Sequence, residues 1–322
     1  MLHTRRQFGK LALAGAPAVG WLLRQDLGFA AGAKVDSKWA GVQVGMNVPY
    51  NFGGGNYMSG DEILSRCVTL GISGVELRAQ PVELFLGSPE AIAGAAAQAR
   101  GAGRGQAPQG GAAAAAEETR KWRLGVSMDK VKQFRTKYAD AGVSIDIVKW
   151  DGIFTMADDE VDYCFELAKA LGAKALSTEM SIDQTKRLGQ FADKHKMPVG
   201  YHGHTAVTPA IWETAFSYAK YNYANVDLGH FIAGNNTSPV PFIKKYPDRI
   251  THVHVKDRKL NNGPNVEFGK GDTPVKEVLQ LMRDNKWKFD ATIEFEYPVP
   301  AGSDRMTEIA KTVEYCKQCL LA

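Results

Sequence analysis

What this sequence has least of is charge of one sign. Its 39 Lys and Arg stand against 35 Asp and Glu, a net +4 over 322 residues, and the basic residues are scattered. Proteins that track a polyanion concentrate positive charge on one face, so no nucleic acid is expected as a partner. Cysteine is scarce as well. Cys67, Cys164, Cys316 and Cys319 are the whole complement, with no second thiol pair at the spacing a structural zinc requires. Cys316 and Cys319 form a C-x-x-C, but it closes a terminal helical segment with no strand before it, so it reads as a pair of helix thiols and not a redox motif. No G-x-G-x-x-G opens a helix after the first strand, which argues against a dinucleotide fold. The apolar run Leu11–Leu23 is broken by Gly and Pro and falls short of the roughly 20 apolar residues of a membrane-crossing helix.

What is present begins with Thr4-Arg5-Arg6-Gln7-Phe8-Gly9-Lys10, then the broken apolar run, then the small residues Ala30-Ala31-Gly32-Ala33. In that order they resemble a twin-arginine export signal. The expectation is that residues 1–33 are removed and that residues 34–322 work in the periplasm or elsewhere outside the cytoplasm, with no membrane attachment after cleavage. Twin-arginine export carries proteins already folded, which suits an enzyme loaded with its metal beforehand.

From Gly41 the pattern alternates short β-branched runs with helical periodicity. Strands are predicted at Gly41–Asn47, Gly74–Ala79, Val143–Trp150, Ala175–Met180, Val199–His204, Asn225–Leu228, Thr251–Lys256 and Ala291–Tyr297, each followed by a helical segment. Eight such units predict a (β/α)8 TIM barrel, an α/β fold, as a single domain. In a closed barrel the first and last helices are neighbours, so a disulfide from Cys67 to Cys316 or Cys319 is left open. Residues 88–118 are rich in Ala, Gly and Gln and nearly devoid of large apolar side chains. They are expected to be a flexible insertion with a helical end.

Polar residues gather at the predicted strand ends. Strand four ends in Glu179, strand six in Asp227, strand seven carries His252 and His254, strand eight carries Glu294 and Glu296, and strand five leads to His202 and His204. Loops after barrel strands share one face, and residues two apart share one side of a strand. Glu179, Asp227, His254 and Glu296 are therefore able to converge. Three carboxylates that close repel unless a cation neutralises them. One imidazole and three carboxylates suit one divalent metal ion: Mn²⁺, Mg²⁺, Co²⁺, Fe²⁺ or Zn²⁺.

The motifs Val-Asp-Leu-Gly-His at 226–230, His-Val-His-Val-Lys-Asp at 252–257, Tyr-His-Gly-His at 201–204 and Glu-Phe-Glu-Tyr-Pro at 294–298, in this strand order, resemble the xylose-isomerase-like barrel superfamily. That superfamily includes sugar phosphate isomerases/epimerases, ketose 3-epimerases, inosose dehydratases and a zinc apurinic endonuclease. The resemblance implies a metal held by Glu179, Asp227, His254 and Glu296, the last preferred over Glu294 for its Glu-x-Pro ending. The endonuclease also needs histidines after strands two and three; here those strands end in Glu76-Leu77-Arg78-Ala79 and Lys149-Trp150, which turns the reading away from DNA chemistry. His202, His204, His230 and Lys256 are expected to contact substrate, with Glu76 and Trp150 as further contacts and His252 as a core histidine. Lys256 reads equally as a salt-bridge partner, Glu76 as a partner of Arg78, and Trp150 and Phe52 as an apolar wall for a sugar ring.

The expected activity is that of a metal-dependent sugar isomerase or epimerase. The metal polarises a carbonyl and stabilises an enediolate, while Glu179 and Glu296 remove and return a proton from opposite sides. Expulsion of a neighbouring oxygen would instead give a lyase or dehydratase on a keto-sugar, 3-keto-glycoside or inosose. A reading of another class is a metal-stabilised sugar-binding protein without catalysis. The expected partner is a small sugar or polyol, and a homodimer is left open.

Overall fold

The structure is a computed structural model and describes residues 34–100 and 112–322. The export-signal reading falls on residues 1–33, outside the described residues.

Eight parallel strands form the barrel: β1 (Val42–Val48), β2 (Gly74–Arg78), β3 (Ser144–Lys149), β4 (Ala175–Glu179), β5 (Val199–His202), β6 (Asn222–Asp227), β7 (Ile250–Val255) and β8 (Asp290–Ile293). Each pairs with its sequence neighbour, and β8 pairs with β1 to close the cylinder. Closure leaves no barrel strand edge unpaired. The predicted barrel is what is found; the strand ends differ by up to four residues. Glu294, Glu296 and His204 lie beyond the ends of β8 and β5, on the loops of the C-terminal face.

Period-two alternation sorts the side chains. Along β1, Val42, Val44, Met46 and Val48 are buried among the apolar core, and Gln43, Gly45 and Asn47 take the other side. Along β2 the apolar pair Val75 and Leu77 alternates with Glu76 and Arg78. The apolar set meets the surrounding helices, and the polar set turns to the barrel axis. The axis near the C-terminal face is therefore lined by buried polar groups: Asn47, Glu76, Lys149, His202, Asp227, His252, His254 and Glu294.

The 88–118 segment, expected to be a flexible insertion with a helical end, is helical over much of its described length. Pro89–Ala99 and Ala112–Gly125 are helices, and Ser88 caps the first by accepting from the Ala91 amide. A lack of large apolar residues denies a segment its own core, but Ala is the strongest helix former. The second helix is pinned by Arg123, which is buried and donates to Glu83 at 2.8 Å, Glu160 at 2.8 Å and Glu90 at 3.1 Å. The four cysteines are free and buried, so none is bridged to Cys67. Among the described residues, no helix is long and apolar enough to cross a membrane.

The loop after β7 is shaped by Asp257. Its carboxylate accepts from the amides of Gly269 and Gly271, both at 2.8 Å, and of Thr273 at 3.2 Å. A Cβ on Gly271 would stand 1.9 Å from Asp257 Oδ1, so only glycine lets the backbone come this close. Gly269-Lys270-Gly271 is thus held in a tight loop around this carboxylate.

Candidate functional site

Strand register decides which groups meet. Glu179 on β4 is paired with His202 on β5, and Asp227 on β6 with His254 on β7. His202 then stands between two carboxylates: Nδ1 is 3.0 Å from Glu179 Oε2 and Nε2 is 3.3 Å from Asp227 Oδ2. His204, on the exposed rim, approaches the same Glu179 oxygen at 2.8 Å. Lys149, the last residue of β3, donates to Glu179 Oε1 at 2.7 Å. Burial alone would raise the Glu179 pKa, but His202, His204 and Lys149 outweigh it and hold the carboxyl far below the usual range. The Glu179 hydrogen bond raises the His204 pKa in turn.

The second half of the site surrounds Lys256, one residue past β7. Its ammonium is buried and lies 3.0 Å from Asp227 Oδ2, 2.6 Å from Glu294 Oε2 and 2.7 Å from Glu296 Oε2. Desolvation lowers the pKa of a buried amine, but these three carboxylates reverse the sign and keep Lys256 charged. The same balance holds Asp227 and Glu294 well below the ordinary carboxylate range: burial acts upward, and Lys256 with the neighbouring histidines acts downward more strongly. Of the two strand-eight carboxylates, Glu294 is the inner one. It lies within a single 4.8 Å cluster of ligand atoms with His202, Asp227 and His230, and Glu296 does not. Glu296 sits further out, where Tyr50 donates to Oε1 at 2.6 Å and Asn265 to Oε2 at 3.1 Å. The chain turns to an irregular path after Ile293, so the Glu-x-Pro ending marks the rim residue and not the axial one.

His254 is fixed from behind. Its Nε2 donates to Glu76 Oε2 at 2.7 Å, and His252 Nε2 is 3.3 Å from Glu76 Oε1. Glu76 therefore serves two core histidines, whereas Arg78 pairs with Asp151. Burial opposes charge on His254, but Glu294 and Glu76 win and raise its pKa well above the usual value. The second His254 nitrogen, Nδ1, faces Glu294 Oε2 at 3.2 Å and Asp227 Oδ2 at 3.7 Å. Nδ1 of His254 is buried without a hydrogen-bond partner, while the Glu294 Oε2 it faces is paired with the Lys256 ammonium. A buried imidazole nitrogen facing two carboxylate oxygens is a donor set that fits a divalent cation. His252, buried and bonded to Thr251 at 2.9 Å, is the core histidine expected.

Two expectations change. Trp150 is 2% exposed and packs edge-on against Tyr163, with Arg123 5.9 Å over its ring. It supports the helices behind the mouth and does not line it, because the chain turns away from the axis at Asp151. Phe52 is likewise buried, under Arg66. His230 is drawn between two cations: Lys256 Nζ lies 3.1 Å from Nε2 and Arg258 donates to Nδ1 at 2.7 Å. Burial and Lys256 lower its pKa to about 4, against the upward pull of Asp227. Sequence reasoning passed over Lys149, Tyr50, Asn265 and Arg258. Lys149 had a readable signal, as the last residue of a barrel strand. Tyr50 and Asn265 had none, because they reach Glu296 from loops distant in sequence.

No family model matches the chain. The chain is 27% identical over 155 residues to an inosose dehydratase of Clostridium botulinum and 24% identical over 154 residues to one of Clostridium tetani, each match covering 41% of this chain and 51% of the relative. It thus spans about half the length of these curated relatives. Solved structures match over most of the chain. A xylose isomerase domain protein from Planctomyces limnophilus gives a TM-score of 0.56 at 14% identity, covering 88% of this chain and 98% of that one. The fold is that of the xylose isomerase-like barrels. A probable 3-DHS dehydratase from Bacillus anthracis gives 0.57 at 13% identity over 85% and 98% of the two chains. The 3-keto-D-glucoside 4-epimerase of E. coli gives 0.54 at 12% identity over 86% and 100%. At these identities the barrel is what is shared.

Proposed function

We propose that this protein is a divalent-metal-dependent enzyme that moves a proton on the carbon next to the carbonyl of a sugar or polyol, as an isomerase or epimerase. The observation that carries the reading is the meeting of Asp227, His254 and Glu294 on the barrel axis around the unpartnered His254 Nδ1, with Glu179 joined to Asp227 through His202. These four residues would hold the ion, with Glu294 in the role the Glu-x-Pro motif gave to Glu296. A divalent ion held there would supply Lewis-acid polarisation of the carbonyl. The remaining roles belong to side chains. Lys149 and His202 orient Glu179 on one side. Glu296 stands on the other side, with Tyr50 bonded to it, and burial with that bond keeps the Tyr50 hydroxyl protonated. The two carboxylates offer proton transfer on either side of a bound substrate.

One observation favours a second reading, elimination or dehydration. The Glu179 hydrogen bond pulls the His204 pKa upward and His204 is exposed at the rim, which suits it to protonate a departing oxygen. The dehydratases among the similar proteins support this reading as the epimerase supports the first. Following candidate free sugars, 3-keto-glycosides and inososes in D2O separates the outcomes. Deuterium at the carbon beside the carbonyl with the skeleton intact supports the isomerase or epimerase, and loss of water or aglycone supports the lyase. Bound metal with neither exchange nor product would leave a sugar-binding protein. Absence of any divalent-metal binding would sink the proposal. Export by the twin-arginine route is part of the same reading, since it favours a free or oxidised sugar over a sugar phosphate.

A further inference from the structure

Lys256 is placed by more than charge. Its stem crosses the start of the helix Leu228–Asn235 that follows β6, where a Cβ on Gly229 would stand 2.3 Å from Lys256 Cγ and 3.0 Å from Cδ. Gly229 is thus the gap through which the lysine reaches the axis. The ammonium it delivers contacts Asp227 Oδ2 and Glu294 Oε2 at 3.0 and 2.6 Å. Those are the same two oxygens that face His254 Nδ1 at 3.7 and 3.2 Å. A divalent ion on His254 Nδ1 needs these oxygens, and two cations sharing them at contact distance repel strongly in a buried site.

Resting on the metal reading above, we propose that Lys256 is a built-in competitor of the metal: its ammonium neutralises Asp227 and Glu294 in the empty site and must give up these oxygens for the ion to bind. Two consequences follow from the charges. The metal-free barrel stays folded because its buried carboxylates are paired. The metal affinity is expected to be weaker than the ligand set alone would give, since binding includes the loss of the ammonium contacts. Glu296 Oε2, 2.7 Å from Lys256 Nζ, gives the ammonium a partner outside the contested pair. Glu296 keeps its own place through Tyr50 and Asn265.

The test is calorimetric titration of Mn²⁺ into chelator-stripped protein, wild type against Lys256→Gln, with melting curves of the metal-free and Mn²⁺-loaded forms. The expected result is at least about tenfold tighter Mn²⁺ binding by the variant, together with a lower metal-free melting temperature that Mn²⁺ restores. Gly229→Ala is the second variant. It keeps the lysine but closes its gap, and it is expected to tighten Mn²⁺ binding in the same direction; it decides the matter if Lys256→Gln does not fold. Mn²⁺ binding by the variants that is equal to or weaker than wild type would overturn the competition while leaving the metal site standing. Absence of Mn²⁺ binding in wild type and both variants would overturn the metal reading itself and this proposal with it.

Discussion

Glu76 on β2 and His254 on β7 share a 2.7 Å hydrogen bond across the barrel axis. The bond assigns a proton to Nε2, because the carboxylate can only accept: burial would raise the Glu76 pKa, but His254 and His252 hold it well below the usual range. That assignment leaves Nδ1 as the nitrogen turned towards Asp227 and Glu294. A carboxylate behind a ligating histidine commonly sets its tautomer, and losing it costs about 10- to 100-fold in metal affinity. Glu76→Gln is therefore expected to weaken Mn²⁺ binding by about that factor, read by calorimetry. Unchanged affinity in a folded variant would remove Glu76 from the orienting role.

The two strand-eight carboxylates should part company on mutation. Glu294→Gln removes an axial oxygen beside His254 and is expected to abolish stoichiometric metal binding, measured by elemental analysis after dialysis. Glu296→Gln leaves the axial set intact and is expected to retain metal while turnover falls by about 10²-fold or more. The reverse pattern would restore the Glu-x-Pro reading.

Asp290, at the start of β8, sits near Asp146 with Lys174 donating to it at 3.2 Å. Burial, then Asp146, push its pKa up to about 7. A carboxyl raised on folding binds more protons in the folded state, so its effect on stability is most favourable near pH 4 and is lost as pH rises towards 7. The span is at most about 4 kcal/mol for a shift of this size. Asp290→Asn should remove this dependence and melt higher than wild type at pH 8. A melting temperature lower than wild type at that pH would contradict it.

Arg123 joins Glu83 and Glu160 behind the mouth, each at 2.8 Å. Breaking a buried pair from one side leaves an uncompensated charge and typically costs about 3–5 kcal/mol. Arg123→Ala is expected to lose stability on that scale in urea titration and to expose the 112–125 helix to limited proteolysis. A loss below about 1 kcal/mol would mean that the helix is held by other contacts.

The Arg5-Arg6 pair is testable in cells. Replacing both with Lys is expected to leave the protein in the cytoplasmic fraction, whereas wild type is expected in the periplasm. Equal distribution of the two would dismiss twin-arginine export.

The sequence by itself determined the barrel, because period-two apolar runs alternating with helical periodicity have few ways to bury both faces of a parallel sheet. It also determined which strand ends carry imidazole and carboxylate, since alternation puts His252 with His254 on one side of β7. Only the tertiary structure decided between members of such pairs. Depth along a strand depends on register with its neighbours, and the irregular turn after Ile293 puts Glu294 on the axis and Glu296 on the rim. The same holds for Lys256, which local sequence leaves as either a substrate contact or a surface salt bridge. Its place amid Asp227, Glu294 and Glu296 follows from three strands meeting around one axis and from the gap at Gly229. Long-range electrostatics of that kind arise from closure of the barrel and have no signature in any local stretch of chain.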